Sequence, residues 1–179
     1  MADFDPDLYR KLNPDIKKLL LKTEDCLPHY LNVGKKQNRR CALDVPNNFI
    51  WKEYVFIYDD LKKVIETEFD AKVHYTIFGK QERRHPCFKT PKDFDWQMYL
   101  FLNPDLQGAE LTSEFDAKRH WTLDGYKEVE RPYSFDFLPN DFNWKTYIKL
   151  NPKLGINNEW DAKVHYLQTG MRDAKLKYK

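Results

Sequence analysis

No apolar run in this chain is long enough to cross a bilayer. The longest mostly apolar stretches, such as Tyr54 to Tyr58, fall far short of the roughly 20 residues a spanning helix needs. A secretory leader is not visible either, because Met1 leads straight into Ala2, Asp3 and Phe4 with no basic stretch followed by an apolar one. A cytoplasmic chain is therefore the default expectation, with no membrane insertion. Cysteine is scarce: Cys26, Cys41 and Cys87 form no even-numbered framework and no CxxC pair, so reduced thiols are expected. Net charge is nearly absent as well. Thirty basic against 28 acidic residues leave a formal +2, too little to imply a nucleic-acid or membrane partner without local clustering. Also missing are a P-loop, a GxSxG elbow, a GxGxxG turn and an HExxH helix, so the sequence points to no enzyme and no cofactor.

Material for a core is present. Apolar residues make up 41% and aromatics 16% of the 179, which excludes a disordered chain and suffices for one ordinary domain. The aromatics recur in order. Cutting the chain before a recurring Phe gives FDPDLYRKLNPDI from Phe4, FIWKEYVFIYDDL from Phe49, FDWQMYLFLNPDL from Phe94 and FNWKTYIKLNPKL from Phe142. A second block follows each: DCLPHYLNVG from Asp25, FDAKVHYTIFG from Phe69, FDAKRHWTLDG from Phe115 and WDAKVHYLQTG from Trp160. His29, His74, His120 and His165 lie 45, 46 and 45 residues apart, and Gly34, Gly79, Gly125 and Gly170 keep the same intervals. The reading is a single helical-repeat domain over 1–179, with repeats at approximately 4–48, 49–93, 94–141 and 142–179. Its fold class is all-α, each repeat a pair of short helices, stacked into a compact helical array.

The start of the first helix is legible in each copy. Phe94 reads as the residue before the cap, Asp95 as the N-cap, and Tyr99 as the ring that clamps back onto Phe94; Phe4 with Tyr9 and Phe142 with Tyr147 repeat this. Ile50 at the cap position weakens the start before Tyr54. Asn13, Asn103 and Asn151, each before a proline, are expected to end the helix and open a tight turn. Tyr58, Asp59 and Asp60 lack that proline, so the second copy is expected to run on helically through Leu61 and Val64. In the second helix Asp70 reads as N-cap after Phe69, and Gly79 as a left-handed terminator. Ala71, His74, Tyr75 and Phe78 then share an inward stripe, on which Cys26 takes the place of a small buried alanine.

The repeated histidine is the obvious candidate for chemistry. Equivalent positions in a linear array lie on the order of 10 Å apart, too far for bonds of roughly 2 Å to one zinc. The histidines, glycines and Tyr9, Tyr54, Tyr99 and Tyr147 are accordingly read as structural, with no metal or catalytic residue. His85, Cys87 and Cys41 match no common zinc spacing. After each Gly the chain turns basic: Lys35, Lys36, Arg39 and Arg40; Lys80, Arg83 and Arg84; Lys127 and Arg131; then Arg172, Lys175, Lys177 and Lys179. These could line one edge for a polyanion or partner, although positive residues there also complement helix C-termini.

Tyr9, Asn13, Pro14, Asp15, His29, Tyr30 and Gly34, with Tyr99, Asn103, Pro104, Asp105, His120, Trp121, Gly125 and Arg131, carry a resemblance over essentially the whole chain. It resembles the short helical repeats with YLxxNPD…HYxxxG…GR signatures found in bacterial and large-DNA-virus proteins, often appended to glycosyltransferases or surface-polysaccharide proteins. The second copy departs by lacking Asn-Pro-Asp, and the fourth by Lys153 and the loss of the closing Gly-Arg. The resemblance implies an accessory or interaction role without catalytic residues, with the virion as an alternative setting for a viral source. Three partner classes are thus expected, in order: a protein held by a scaffolding surface, a glycan stacked on rings such as Trp51, Trp96 or Trp144, and a nucleic acid along the basic edge.

Overall fold

The computed structural model describes residues 4–19, 22–109, 111–128 and 131–178, so Lys179 of the expected basic series lies outside the described residues. Among these the chain is all helical, with ten α-helices and no strand. It divides into two compact units, Met1–Phe88 and Lys89–Lys179. The first holds α1 (Pro6–Leu12), α2 (Pro14–Lys18), α3 (Thr23–His29), α4 (Trp51–Ile57) and α5 (Glu68–His74). The second holds α6 (Trp96–Leu102), α7 (Pro104–Gly108), α8 (Glu114–Leu123), α9 (Trp144–Leu150) and α10 (Glu159–His165). None of the described helices is long and apolar enough to cross a membrane.

Helices of two turns do not persist alone, because nucleation costs more than so few hydrogen bonds return. Here they pack in pairs: α1 on α3, α4 on α5, α6 on α8, and α9 on α10. A fully buried tyrosine sits between each pair, Tyr9, Tyr54, Tyr99 and Tyr147 all being 0% exposed. Burying each ring contributes about 2–3 kcal/mol. The phenylalanine before each first helix covers that tyrosine and at least one further ring. Phe94, for example, lies 5.1 Å from Tyr99 and 5.4 Å from Trp121, and Phe49 lies 5.2 Å from both Tyr54 and Tyr75. Asp5, Asp95 and Asn143 accept backbone N–H bonds as N-caps, whereas Ile50 provides none.

Three local expectations are corrected. The second helices begin three residues early, capped by Thr67, Ser113 and Asn158, which accept from the N–H of Asp70, Asp116 and Asp161. Asp70 therefore sits at the third helical position, where its N–H donates to the Thr67 hydroxyl oxygen at 3.1 Å and its carboxylate accepts from that hydroxyl at 2.6 Å. Phe69 is consequently inside the helix and 40% exposed. Next, α4 stops at Ile57 without any proline. Tyr58 turns extended so that its hydroxyl accepts from the His85 N–H at 2.6 Å and its ring lies under Arg84, 4.6 Å from the guanidinium carbon.

The third correction concerns the glycines. Only Gly155 among them has a positive φ; Gly34 and Gly79 end the helical segments in right-handed geometry, and a four-residue turn follows each. The left-handed residues are Asn38 (φ 53) and Arg83 (φ 56). Around Asn38 the Arg39 N–H reaches the Gly34 carbonyl at 2.9 Å and the Asn38 N–H the Lys35 carbonyl at 3.2 Å, the paired bonds of a Schellman termination. Arg84 and Arg83 repeat it on Gly79 and Lys80. The last turns before these ends widen to π geometry over Tyr30–Gly34, Tyr75–Gly79 and Tyr166–Gly170, which rotates Phe78 out of the expected inward stripe to 47% exposure.

Candidate functional site

Glycine is required at Gly34, Gly79, Gly125 and Gly170 by a close approach. A methyl group at Gly125 would stand 2.5 Å from the Tyr99 hydroxyl oxygen, and the other three would crowd Tyr9, Tyr54 and Tyr147 in the same way. The tyrosine tip is thus driven through the helix pair onto the glycine backbone. There it meets the histidine one turn earlier: Tyr9 Oη and His29 Nδ1 are 3.0 Å apart, Tyr54 and His74 2.9 Å, Tyr99 and His120 2.7 Å, Tyr147 and His165 2.8 Å. Where the buried phenol donates, Nδ1 accepts and the imidazole proton sits on Nε2.

The electrostatics agree with that assignment. Burial pushes Tyr54 and Tyr99 well above their usual range and Tyr147 up to about 12, so the phenols stay protonated. Burial also lowers His74, His120 and His165, with Arg84 and Arg131 adding to the effect on the first two, so these imidazoles stay neutral. A neutral imidazole whose Nδ1 is spent on a buried phenol holds its neighbours rather than acting as a poised base.

The basic residues separate into two groups. Arg39, Arg84 and Arg131 are turned in, their side chains 17%, 17% and 14% exposed. Arg39 pairs with Asp15 at 2.6 Å; Arg84 takes Asp60 in a two-pronged bond of 2.8 and 2.9 Å; Arg131 takes Asp105 at 2.7 Å. Arg84 and Arg131 hold a second carboxylate each, Glu82 and Glu128. Arg39 lowers Asp15 and Arg84 lowers Asp60, which in turn raises Arg84. Lys80 pairs with Asp44, and Lys127 bonds the Leu123 carbonyl beside Asp124. Lys35, Lys36 and Arg83 are exposed and Arg40 half-buried, so the edge offers less free charge than its sequence suggests.

The pairing of Asp15, Asp60 and Asp105 with these arginines was the signal the sequence held and the basic stripe concealed. Beside Asn151 neither charge is present: Lys153 follows Pro152, and Leu176, packed on the last core cluster, precedes Lys177. The neighbouring strap is tied down as well. Asn13, Asn103 and Asn151 donate to the carbonyls of Arg40, Pro132 and Lys177 at 2.7, 2.8 and 2.6 Å. Asn151 Oδ1 also accepts from the Lys177 N–H, while Asn103 Oδ1 is buried without a partner because Pro132 has no N–H to give.

The remaining candidates scatter. Cys26 is buried and donates to the Lys22 carbonyl, at a place filled elsewhere by Ala71, Ala117 and Ala162. Cys41 bonds the Tyr30 hydroxyl and Cys87 accepts from Asn48; no group of three metal-ligating side chains is found among the described residues. Trp51, Trp96 and Trp144 pack half-buried onto core clusters. Other rings are exposed: Phe69, Phe115 and Trp160, at the second position of α5, α8 and α10, are 40%, 44% and 51% exposed, and Phe78, Phe101 and Tyr126 are exposed elsewhere. Trp160 leans on Phe101 at 6.4 Å and meets Phe135 edge-on at 5.0 Å. Reading Phe69 as a buried staple hid this row; the missing signal was Thr67, Ser113 and Asn158 three residues before each Asp. Compared with protein-family models, with characterised proteins and with solved structures, the chain matches none of them.

Proposed function

We propose that the chain is four copies of one two-helix building block and works as a non-enzymatic interaction or scaffolding protein, holding a partner protein through its repeat surface. The observation that carries this reading is a division of labour. The recurring groups capable of chemistry, His29, His74, His120 and His165, are bonded to buried tyrosines, and Arg39, Arg84 and Arg131 to carboxylates. What faces outward at matched positions is aromatic surface: Phe69, Phe115 and Trp160. Exposed rings with a polar surround favour association with another macromolecule. A glycan would use the same rings, but Trp51, Trp96 and Trp144, the indoles first expected to serve it, are engaged in the cores. Capture from native lysate with the full chain, against the triple variant Phe69→Ser, Phe115→Ser and Trp160→Ser, tests the reading. A protein retained by the wild type and lost by the folded triple variant is expected. Equal retention by both, or recovery of saccharide alone, contradicts it.

A further inference from the structure

The row of exposed rings is not uniform, and the difference lies in what stands beside each ring. In the first unit Lys11, two residues after the buried Tyr9, lays its ammonium 4.5 Å from the centre of the Phe69 ring and 3.8 Å from the Asp70 carboxylate. The site formed by a ring at the second helical position and a nearby carboxylate is thus filled by a lysine of the chain itself. In the second unit the residue two after the buried Tyr99 is Phe101, and the ring at the second helical position is Trp160. Phe101 thus stands where Lys11 supplies an ammonium in the first unit. A groove of about 250 Å³ lies there instead, lined by Asp95, Gln97, Met98, Phe101 and Trp160. Asp95 is the only charged residue among the described residues of the lining, and Phe101 and Trp160 are 41% and 51% exposed.

We propose that the Phe101–Trp160 groove receives a lysine side chain from a partner protein, its ammonium seated against the Trp160 face and the Asp95 carboxylate, as Lys11 is seated against Phe69 and Asp70. The proposal rests on the protein-binding reading above and names the chemistry of the contact. A ring quadrupole attracts a cation, most strongly for tryptophan. The carboxylate supplies the counter-charge, while Phe101 and Met98 give the aminobutyl stem an apolar wall. An anionic or purely apolar occupant would leave Asp95 facing like charge or a desolvated carboxylate.

The test follows the Trp160 indole N–H by proton–nitrogen NMR in the full chain, titrated with acetyl-Gly-Gly-Lys-Gly-Gly-amide, with the same peptide carrying norleucine for lysine, and with maltohexaose. A saturable shift with the lysine peptide only is expected. Trp160→Leu, followed through the Gln97 and Met98 backbone amides because the indole is gone, and Phe101→Lys should each weaken binding about tenfold, the first by removing the strongest ring and the second by supplying the internal ammonium. Both positions are exposed, so retained helical circular dichroism shows that loss of binding is not loss of fold. An equal response to norleucine makes the groove an apolar dock, and a response to maltohexaose alone makes it a saccharide site; either overturns the proposal, as does no shift with any probe or undiminished binding by Phe101→Lys. If lysate capture survives Trp160→Leu while the lysine peptide fails, this inference falls and the protein-binding reading stands.

Discussion

Gly79→Ala isolates the contact on which each helix pair closes. The added methyl would overlap the Tyr54 hydroxyl, lie 3.0 Å from Tyr75 Cδ2 and 3.3 Å from Tyr54 Cζ, and neither ring can retreat far, being 0% and 8% exposed. Overpacking of this kind costs about 1–3 kcal/mol. Tyr54→Phe has its own cost, because His74 Nδ1 loses its donor at a half-buried position, on the order of 1–2 kcal/mol. In the double variant the methyl enters the space the hydroxyl left, so the clash is relieved and the combined loss falls short of the sum by about 1 kcal/mol or more. Urea denaturation followed by circular dichroism measures all three. Strict additivity, or Gly79→Ala within about 0.5 kcal/mol of wild type, would refute the claim that the phenol excludes every side chain at this position.

Asp105→Lys alone should destabilise by about 1–2 kcal/mol by facing Arg131 with like charge, and adding Arg131→Leu, the combination present at Lys153 and Leu176, should restore part of it; thermal melts check this. Cys26→Ala, the residue found at positions 71, 117 and 162, should stay within about 1 kcal/mol of wild type, whereas Cys26→Leu should overpack and lower the melting temperature. The lowered imidazoles of His74, His120 and His165 make stability pH-dependent. Their folded values lie below the unfolded 6.5, so the stabilisation is full above that pH and declines as protons bind the unfolded state first. Urea midpoints should therefore fall between about pH 7.5 and 5.5, and a rise over that range contradicts the assignment.

The starts of α1, α6 and α9 were legible because an Asp or Asn cap and a clamping ring are local chemistry written within six residues. The buried tyrosines were legible too, by their recurrence. The second-helix starts were misplaced by three residues because Asp70, Asp116 and Asp161 look like caps, whereas Thr67, Ser113 and Asn158, three residues earlier, accept the capping N–H bonds. Gly79 suggested a left-handed stop, the commoner reason for glycine after a helix. Its real constraint comes from Tyr54, 25 residues earlier, and no local pattern carries it. Likewise Arg84 reads as free charge until Asp60 is seen across the turn. Long-range partnership is what the sequence withheld, and it decides which groups are left for function.

The division between core and surface depends on the recurring imidazoles being internal acceptors. Long-range proton–nitrogen NMR of the histidine rings near neutral pH tests it most directly. His29, His74, His120 and His165 should each carry the proton on Nε2, with Nδ1 in the chemical-shift range of a hydrogen-bonded acceptor, and should not respond to added zinc. Rings protonated on Nδ1, or resonances that move together when the metal is added, would contradict it.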